Sequence, residues 1–388
     1  MGAASTAPAQ GSWRAIGAAI ASMAAVGLSI SLGMPLLSLV LDSRGVSPSM
    51  IGLNSAVGGV ASLLVPLAIP AAVSWFGTAR VAIAALAVMA VTFPFFYLID
   101  AFWAWFPLRF VFYAAATATF AVGEFWINAL APEGKRGLAI GIYATVLSLG
   151  FAAGPAILGL VGTQGPTPFL IGTAIFLLAL LPMAVARNSA PSGLSRPKTN
   201  VLMFLVVAPA AIFAVMAFGA VESGGLALLP LYGLELGFSP REAALLVSAM
   251  ALGNVVTQIP LGLLADRVDR RMLLLVCALV GVGGALAMPL AAGDLVTLLA
   301  LLFVWGGMTG GLYTVGLTHL GARFTGTDLA AANSAFVMMY AAGMLIGPTI
   351  MGIGLDLWPS NGLPIAVAGF FAAYAILAAV RILQVRSG

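Results

Sequence analysis

Three ionisable residues interrupt long apolar runs in this 388-residue chain: Arg109, Glu124 and Glu222. Placing such a group at the centre of a bilayer costs about 2.5–3.5 kcal/mol, so it usually turns toward a cavity, a partner or a ligand. A carboxylate in that setting can bind and release protons, and a guanidinium can hold an anion through its planar fork of donors. Glu222 is the best placed for such chemistry, because apolar sequence continues on both sides of it and Ser223, Gly224 and Gly225 follow as the mark of a flexible bend. The competing reading makes it an acid hydrogen-bonded to a neighbouring helix for packing. Arg109 follows Trp103 and Trp105, and either faces a cavity or snorkels to the outer interface. Glu124 lies fifteen residues beyond Arg109, which is about 22 Å along a helix and about 60° around it. The two cannot form a direct ion pair, and Trp126 and Asn128 also allow Glu124 to be an interface carboxylate in water.

Other polar groups fall where they could line the same cavity: Asn54, Asn254, Gln258, Tyr313, His319, Asn333 and Tyr340. Asn254 and Gln258 are four apart and share a helix face. His319 lies close to a helix end, where a solvated histidine is expected rather than a proton relay. Single polar residues in membrane bundles also act as interhelical glue worth about 0.6 kcal/mol. No nucleotide loop, metal cluster or nucleophile constellation is present in the sequence, so no enzyme activity, metal or cofactor is expected. Cys277 is the only cysteine, which rules out an intramolecular disulfide.

These residues sit in a chain that is 62% hydrophobic and 7% charged, against an apolar share of roughly 45–50% for soluble domains. Each membrane crossing takes about 20 mainly apolar residues. Apolar runs at 13–41, 47–73, 80–99, 101–128, 138–160, 168–186, 201–235, 242–264, 272–292, 295–321, 329–353 and 363–381 predict an all-α polytopic membrane protein with 12 transmembrane helices. The runs lack the apolar/polar alternation of a transmembrane barrel. An even count puts both termini on one side. With that side cytoplasmic, thirteen Lys and Arg fall in inner loops and tails, and only Arg44 and Arg241 in outer loops, a strong positive-inside bias. The basic residues form no aromatic-interleaved patch, so nucleic acid is not an expected partner.

The one long polar break, 187–200, divides six segments from six. It predicts a short cytoplasmic tail (1–12), an N-terminal half (13–186), a cytoplasmic linker (187–200), a C-terminal half (201–381) and a second tail (382–388). The halves repeat. Gly150, Gly154, Pro155 and Gly159 in segment 5 recur as Gly343, Gly347, Pro348 and Gly352 in segment 11, with a spacing of 193 residues. Small residues allow close helix approach and proline bends an axis, so Gly150, Gly154, Pro155, Gly343, Gly347 and Pro348 read as a paired hinge at the interface between halves.

The densest charge is in the loop Gly262-Leu-Leu-Ala-Asp266-Arg267-Val-Asp269-Arg270-Arg271. It resembles the G-x-L-a-D-r-x-g-r-r loop of the major facilitator superfamily, with Asp269 standing where that family usually has Gly. The resemblance implies the major facilitator fold of two six-helix halves. It makes Gly262 a point of close helix approach, Asp266 an acidic latch and Arg267, Arg270 and Arg271 its basic tail. By repeat symmetry Asp266 would meet the start of segment 5, where the positive helix end favours an acid and Lys135 and Arg136 add charge. The alternative is that these charges only fix topology in a tight turn. The counterpart loop, Pro70 to Arg80, has Ser74 at the acidic place. Its expected partner, segment 11, carries Thr327 and Asp328, which can cap that helix themselves, so the latch is expected on one side only.

Arg109 occupies the place of the superfamily's helix-4 arginine, and the segment-5 glycines resemble the helix-5 motif of drug/proton antiporters. Glu124-Phe-Trp126, Arg136-Gly-Leu-Ala-Ile-Gly141-Ile-Tyr143 and Gly310-Gly-Leu-Tyr313 resemble the YcaD-like branch. Together these imply a monomeric secondary active transporter of the bacterial inner (cytoplasmic) membrane, working by alternating access. Its expected partners are a small-molecule substrate, protons as the coupling ion and the lipid bilayer. Proton-coupled export of an apolar or amphipathic compound is the leading expectation. Uptake of a small organic anion or sugar-like metabolite, with Arg109 as the anion's partner, is the alternative, and a channel or non-transporting receptor is the different class.

Overall fold

Hydrocarbon offers no water to backbone N–H and C=O groups, so a chain this apolar satisfies them within helices. The computed structural model describes residues 13–132, 135–191 and 203–387. Among these it has twelve helices long and apolar enough to cross a membrane. They are α1 (Trp13–Ser43), α2 (Pro48–Phe76), α3 (Thr78–Thr92, extended by a turn at Phe95–Leu98), α4 (Trp105–Leu130), α5 (Arg136–Val161), α6 (Thr167–Ala186), α7 (Pro209–Glu235), α8 (Pro240–Ala265), α9 (Arg270–Ala291), α10 (Leu295–Arg323), α11 (Gly326–Leu357) and α12 (Gly362–Ser387).

Three boundaries differ from expectation. The run 201–235 is broken into a short helix, Phe204–Val207, and α7, because Ala208 before Pro209 leaves the helical region at φ −129, ψ 47, as the residue before a proline tends to. Helix α12 runs on to Ser387 instead of ending at 381. Helix α11 is entered at Thr325, which makes no side-chain cap, so Thr327 and Asp328 lie inside the helix and are not its cap. The tail 1–12 and linker residues 192–200 lie outside the described residues.

Several loops are fixed by caps. Ser239 and Glu242 form a reciprocal capping box at α8, a motif that satisfies two orphan donors at once, and Asp294 caps α10 through Thr297 N at 2.9 Å. Asp269, the departure from the superfamily's loop pattern, caps α9 by accepting from Arg271 N at 2.7 Å and Met272 N at 3.2 Å. Its loss in Asp269→Ala is expected to cost about 1 kcal/mol. Thermal unfolding of the detergent-solubilised protein checks this, and an unchanged midpoint would reject the cap as a contributor.

Helices α1 and α7 are the centre of the bundle, with 78% and 83% of their most apolar windows buried against at most 50% elsewhere. Each half is built on one of them: α5 packs on α1, and α11 on α7. The halves then meet along two seams, α2 with α11 and α5 with α8, pairs that the 193-residue repeat interchanges.

The seams are sealed at one end. At the end remote from the termini, a Cβ on Gly52 would overlap the Pro348 carbonyl, and one on Gly352 the Pro48 carbonyl. Ser49 N donates to Asp356 Oδ2 at 3.0 Å. The close approach continues to mid-helix, where Gly59 faces the backbone of Ala341 and Leu345. Toward the end that carries the termini, α5 stands away from the other half. From Leu138 to Thr145 its described side chains are exposed except Ala139 and Tyr143, which are four apart on one face. Across from it on α8, Val256, Ile259 and Leu263 are exposed. The bundle therefore holds a cleft closed at the far end and open at the terminal end.

Candidate functional site

The cleft ends at a cluster of acids and aromatic rings drawn from both halves. Helix α7 carries Glu222 to mid-membrane, where Tyr340 of α11 donates its hydroxyl to Glu222 Oε2 at 2.5 Å. Gly219, one turn earlier, makes this possible, because a Cβ there would lie 2.5 Å from Tyr340 O and 3.0 Å from its ring. The run after Glu222 is not a bend. Helix α7 is continuous through Ser223, whose hydroxyl returns to Gly219 O at 2.6 Å, and Gly224 and Gly225 seat the sulfurs of Met351 and Met250. Glycine is used here for close packing, as is common in membrane helices.

In the other half, Tyr143 of α5 donates to Glu124 Oε1 at 3.0 Å. Glu124 is exposed although protein lies around it on most sides, the situation of a side chain on a water-filled cleft. Tyr313 of α10 connects the two acids: it is within electrostatic reach of both Glu124 and Glu222. Its ring centroid lies 6.3 Å from that of Tyr340, 5.8 Å from Phe218 and 5.2 Å from Phe336. On the N-terminal side, Phe120, one turn from Glu124, stacks on Phe151 at 6.5 Å.

Arg109 lies deeper toward the sealed end. It is 0% exposed, which removes the snorkelling reading. Its Nη1 donates to Ser55 Oγ at 2.7 Å, while Nε and Nη2 have no partner. Ser55 stands between Gly52 and Gly59 on α2, so Arg109 reaches the edge of the closed α2–α11 seam. No pair joins Arg109 to Glu124, as their spacing along α4 requires. Tyr113, next to Arg109 along α4, is also an electrostatic neighbour of Tyr340. A line of polar groups thus runs from Arg109 past Tyr113 to Glu222 and on to Glu124.

The remaining candidates divide. The Asn254 carboxamide packs on Gly310 of α10, and beside it Thr257 donates to Gly307 O at 2.8 Å, so this face of α8 holds α10. Gln258 is half-buried one turn further on. Asn333 is half-buried with its buried Oδ1 unpartnered, two turns before Tyr340. Asn54 is fully buried with neither amide atom bonded. His319 is not solvated. It is 7% exposed and lies beneath the loop charges Arg270, Arg271 and Asp269, with Arg323 on its own helix.

The loop residues and glycines are placed as follows. Among the described side chains Asp266 pairs with Arg270 of its own loop, at 3.4 Å, and its side chain is 65% exposed; Arg267 is exposed as well. At Gly262 the approach is ordinary, with Thr314 Cγ2 3.8 Å from where a Cβ would stand. Gly150 and Gly154 face Ala24, Leu28 and Ser31 of α1, and Gly343 and Gly347 face Met216 and Ala220 of α7. These glycines pack within each half and not between halves, which corrects the expected position of the Gly-Pro repeat; Pro155 lies inside α5, and Pro348 meets the opposite half, at Gly52. The cross-half contact of the repeat otherwise belongs to its last members, Gly159 near Arg241 and Gly352 on Pro48. Tyr143 and Tyr113 had no site role in the sequence reading. A tyrosine in an otherwise apolar membrane helix was the available signal, but its partner sits on another helix.

Known proteins share this architecture. A bacterial homologue of the human lysosomal transporter Spinster, solved in an inward-facing and unoccupied conformation, matches with a TM-score of 0.79 at 14% identity, covering 95% of this chain and 97% of that one. The nucleoside transporter NupG matches at 0.76, 14% identical, over 96% and 99%. In sequence, the MFS-type transporter YfkF of Bacillus subtilis is 25% identical over 348 residues, 87% of this chain and 88% of that protein. YcaD of Escherichia fergusonii, likewise an MFS-type transporter, is 24% identical over 71% and 72%. The family model of the Major Facilitator Superfamily matches residues 19–239 and 211–387. With both halves matched, the chain belongs to the Major Facilitator Superfamily and is a multi-pass membrane transporter of that family, not an enzyme.

Proposed function

We propose that the protein is a proton-coupled antiporter of the bacterial inner membrane that exports a small amphipathic molecule by alternating access. The observation that carries this reading is the pair of carboxylate–tyrosine couples, Glu124–Tyr143 and Glu222–Tyr340, one from each half, on a cleft open at one end only. Each acid is tied within its own half, so rocking the halves changes which water reaches the pair without breaking either couple. A proton and a substrate that compete for the same acids then cross in opposite directions.

Reconstitution into liposomes with a trapped pH dye tests it. Substrate added against an imposed pH gradient is expected to drive protons the opposite way, and substrate movement without any proton movement would reject the coupling. A second reading rests on Arg109, whose two unpartnered nitrogens are unusual for a buried cation: uptake of a small organic anion. Cotransport in one direction, lost in Arg109→Ala, would select it.

The inner-loop excess of basic residues supports termini in the cytoplasm, and the open end of the cleft is then the cytoplasmic one. Asp266, which among the described side chains pairs within its own loop, fits a latch that engages the start of α5 when the cleft opens outward. Asp266→Asn is expected to increase thiol labelling of cysteines placed at the terminal mouth by about two- to fivefold, the effect of about 0.3–1 kcal/mol at a helix end. Equal labelling in a correctly inserted variant would leave the loop a topology signal alone.

A further inference from the structure

We infer that the cleft is built for an organic cation with an aromatic or bulky apolar body. This rests on reading the cleft as the transport site and names the class of its cargo.

Inside the cleft, beyond its mouth, the described charges that face it are of one sign. Glu124 and Glu222 each accept one tyrosine hydroxyl, and neither has a second hydrogen bond among the described residues. Each keeps an oxygen for a ligand. The only fully buried basic side chain among the described residues is Arg109; it is turned to Ser55 at the sealed seam, with Tyr113 between it and the Glu222–Tyr340 couple. The other described Lys and Arg sit at or near helix ends. Beyond the mouth, an anion would be repelled by Glu124 and Glu222, whereas a cation meets an acid from each half.

The walls suit the same ligand. Phe218, Tyr313, Phe336 and Tyr340 form a set of rings with centroids 5.2–6.3 Å apart, in which half-buried Tyr313 and Tyr340 are backed by buried Phe218 and Phe336. Ring faces attract cations, most strongly where water is scarce, and rings also bury the apolar body of an amphipathic ligand. Tyr340 and Tyr143 direct their hydroxyl hydrogens at the acids. The tyrosines bring no positive charge. Two acids and a cluster of rings, with every described Lys and Arg other than Arg109 at or near a helix end, discriminate by charge, not by size.

Tetraphenylphosphonium and tetraphenylborate form the test, since they share size and shape and differ in sign. Equilibrium binding of each is measured to the full-length protein in lipid nanodiscs, with protein-free nanodiscs subtracted. The phosphonium ion is expected to bind at least about tenfold tighter than the borate, with the preference falling about tenfold in Glu124→Gln and in Glu222→Gln. Tyr313→Leu, which keeps both acids, is expected to weaken the phosphonium by about three- to tenfold and guards against a charge variant that fails to fold. Equal or tighter binding of the borate, no saturable binding of the phosphonium, or a preference unchanged in the double glutamine variant overturns the inference. Binding needs no transport, so the outcome separates from that of the coupling proposal: proton movement with anion preference removes the cation alone, and cation preference without proton movement removes the coupling alone.

Discussion

Glu222→Gln is expected to reduce substrate-driven proton movement in proteoliposomes to the level of protein-free vesicles, with the purified variant still monodisperse. Gln keeps the shape and can still accept from Tyr340, so the packing of α7 on α11 survives while the titrating group is gone. Tyr340→Phe separates position from titration. It removes one hydrogen bond to a charged group, worth about 1.5–3 kcal/mol, and predicts a coupled rate lower by about ten- to a hundredfold without loss of proton movement. The opposite ranking, with Tyr340→Phe the more damaging, would make the couple a packing device and return Glu222 to the structural reading. The acid is in position only because Gly219 admits the Tyr340 backbone.

The largest conformational effect is expected from Gly52→Val. A side chain there would overlap the Pro348 carbonyl, and neither the α2 nor the α11 backbone can yield locally. Overpacking of this kind costs about 1–3 kcal/mol, and here it penalises only the conformation in which the far end is sealed. The population should therefore move by about five- to 150-fold toward the state open at the far end. Spin labels at Ser49→Cys and Trp358→Cys, on the two sides of that seam, should report a longer distance in the valine variant, while Cys277, which is buried, stays unlabelled. The same opening would expose Arg109 and Ser55, which this conformation hides. An unchanged distance in a folded variant would mean that the α2–α11 seam does not separate.

What composition along one chain sets is legible in the sequence. Twelve helices follow from run lengths, and the two halves from the 193-residue repeat and the polar break. Glu222 stood out because a charge in an apolar run is costly wherever the fold puts it. What the sequence did not supply was which faces meet. Glu124 read equally well as an interface acid, because Tyr143 and Tyr313, which define its setting, arrive from α5 and α10. Ser223, Gly224 and Gly225 carry the composition of a flexible bend, whereas in the bundle these glycines seat Met351 and Met250. His319 was assigned to solvent by its place along α10, but depth along a helix says nothing about the neighbouring α9 loop that covers it. The Gly-Pro repeat was recognised correctly as a repeat, yet its position within each half required knowing that α5 packs on α1 and α11 on α7. Asp269 was read as a departure from a family pattern, and it turns out to cap α9.

The central claim is that an acid from each half couples protonation to which end of the cleft is open. Pulsed electron–electron resonance between labels at Ile142→Cys on α5 and Ile259→Cys on α8, both exposed at the terminal end, tests it most directly when the pH is varied in nanodiscs. The account predicts a short and a long population whose ratio changes with pH in the otherwise native protein, and a ratio that no longer responds in the Glu124→Gln, Glu222→Gln double variant. A pH response of full size in the double variant, or a single distance at every pH in both proteins, would contradict it.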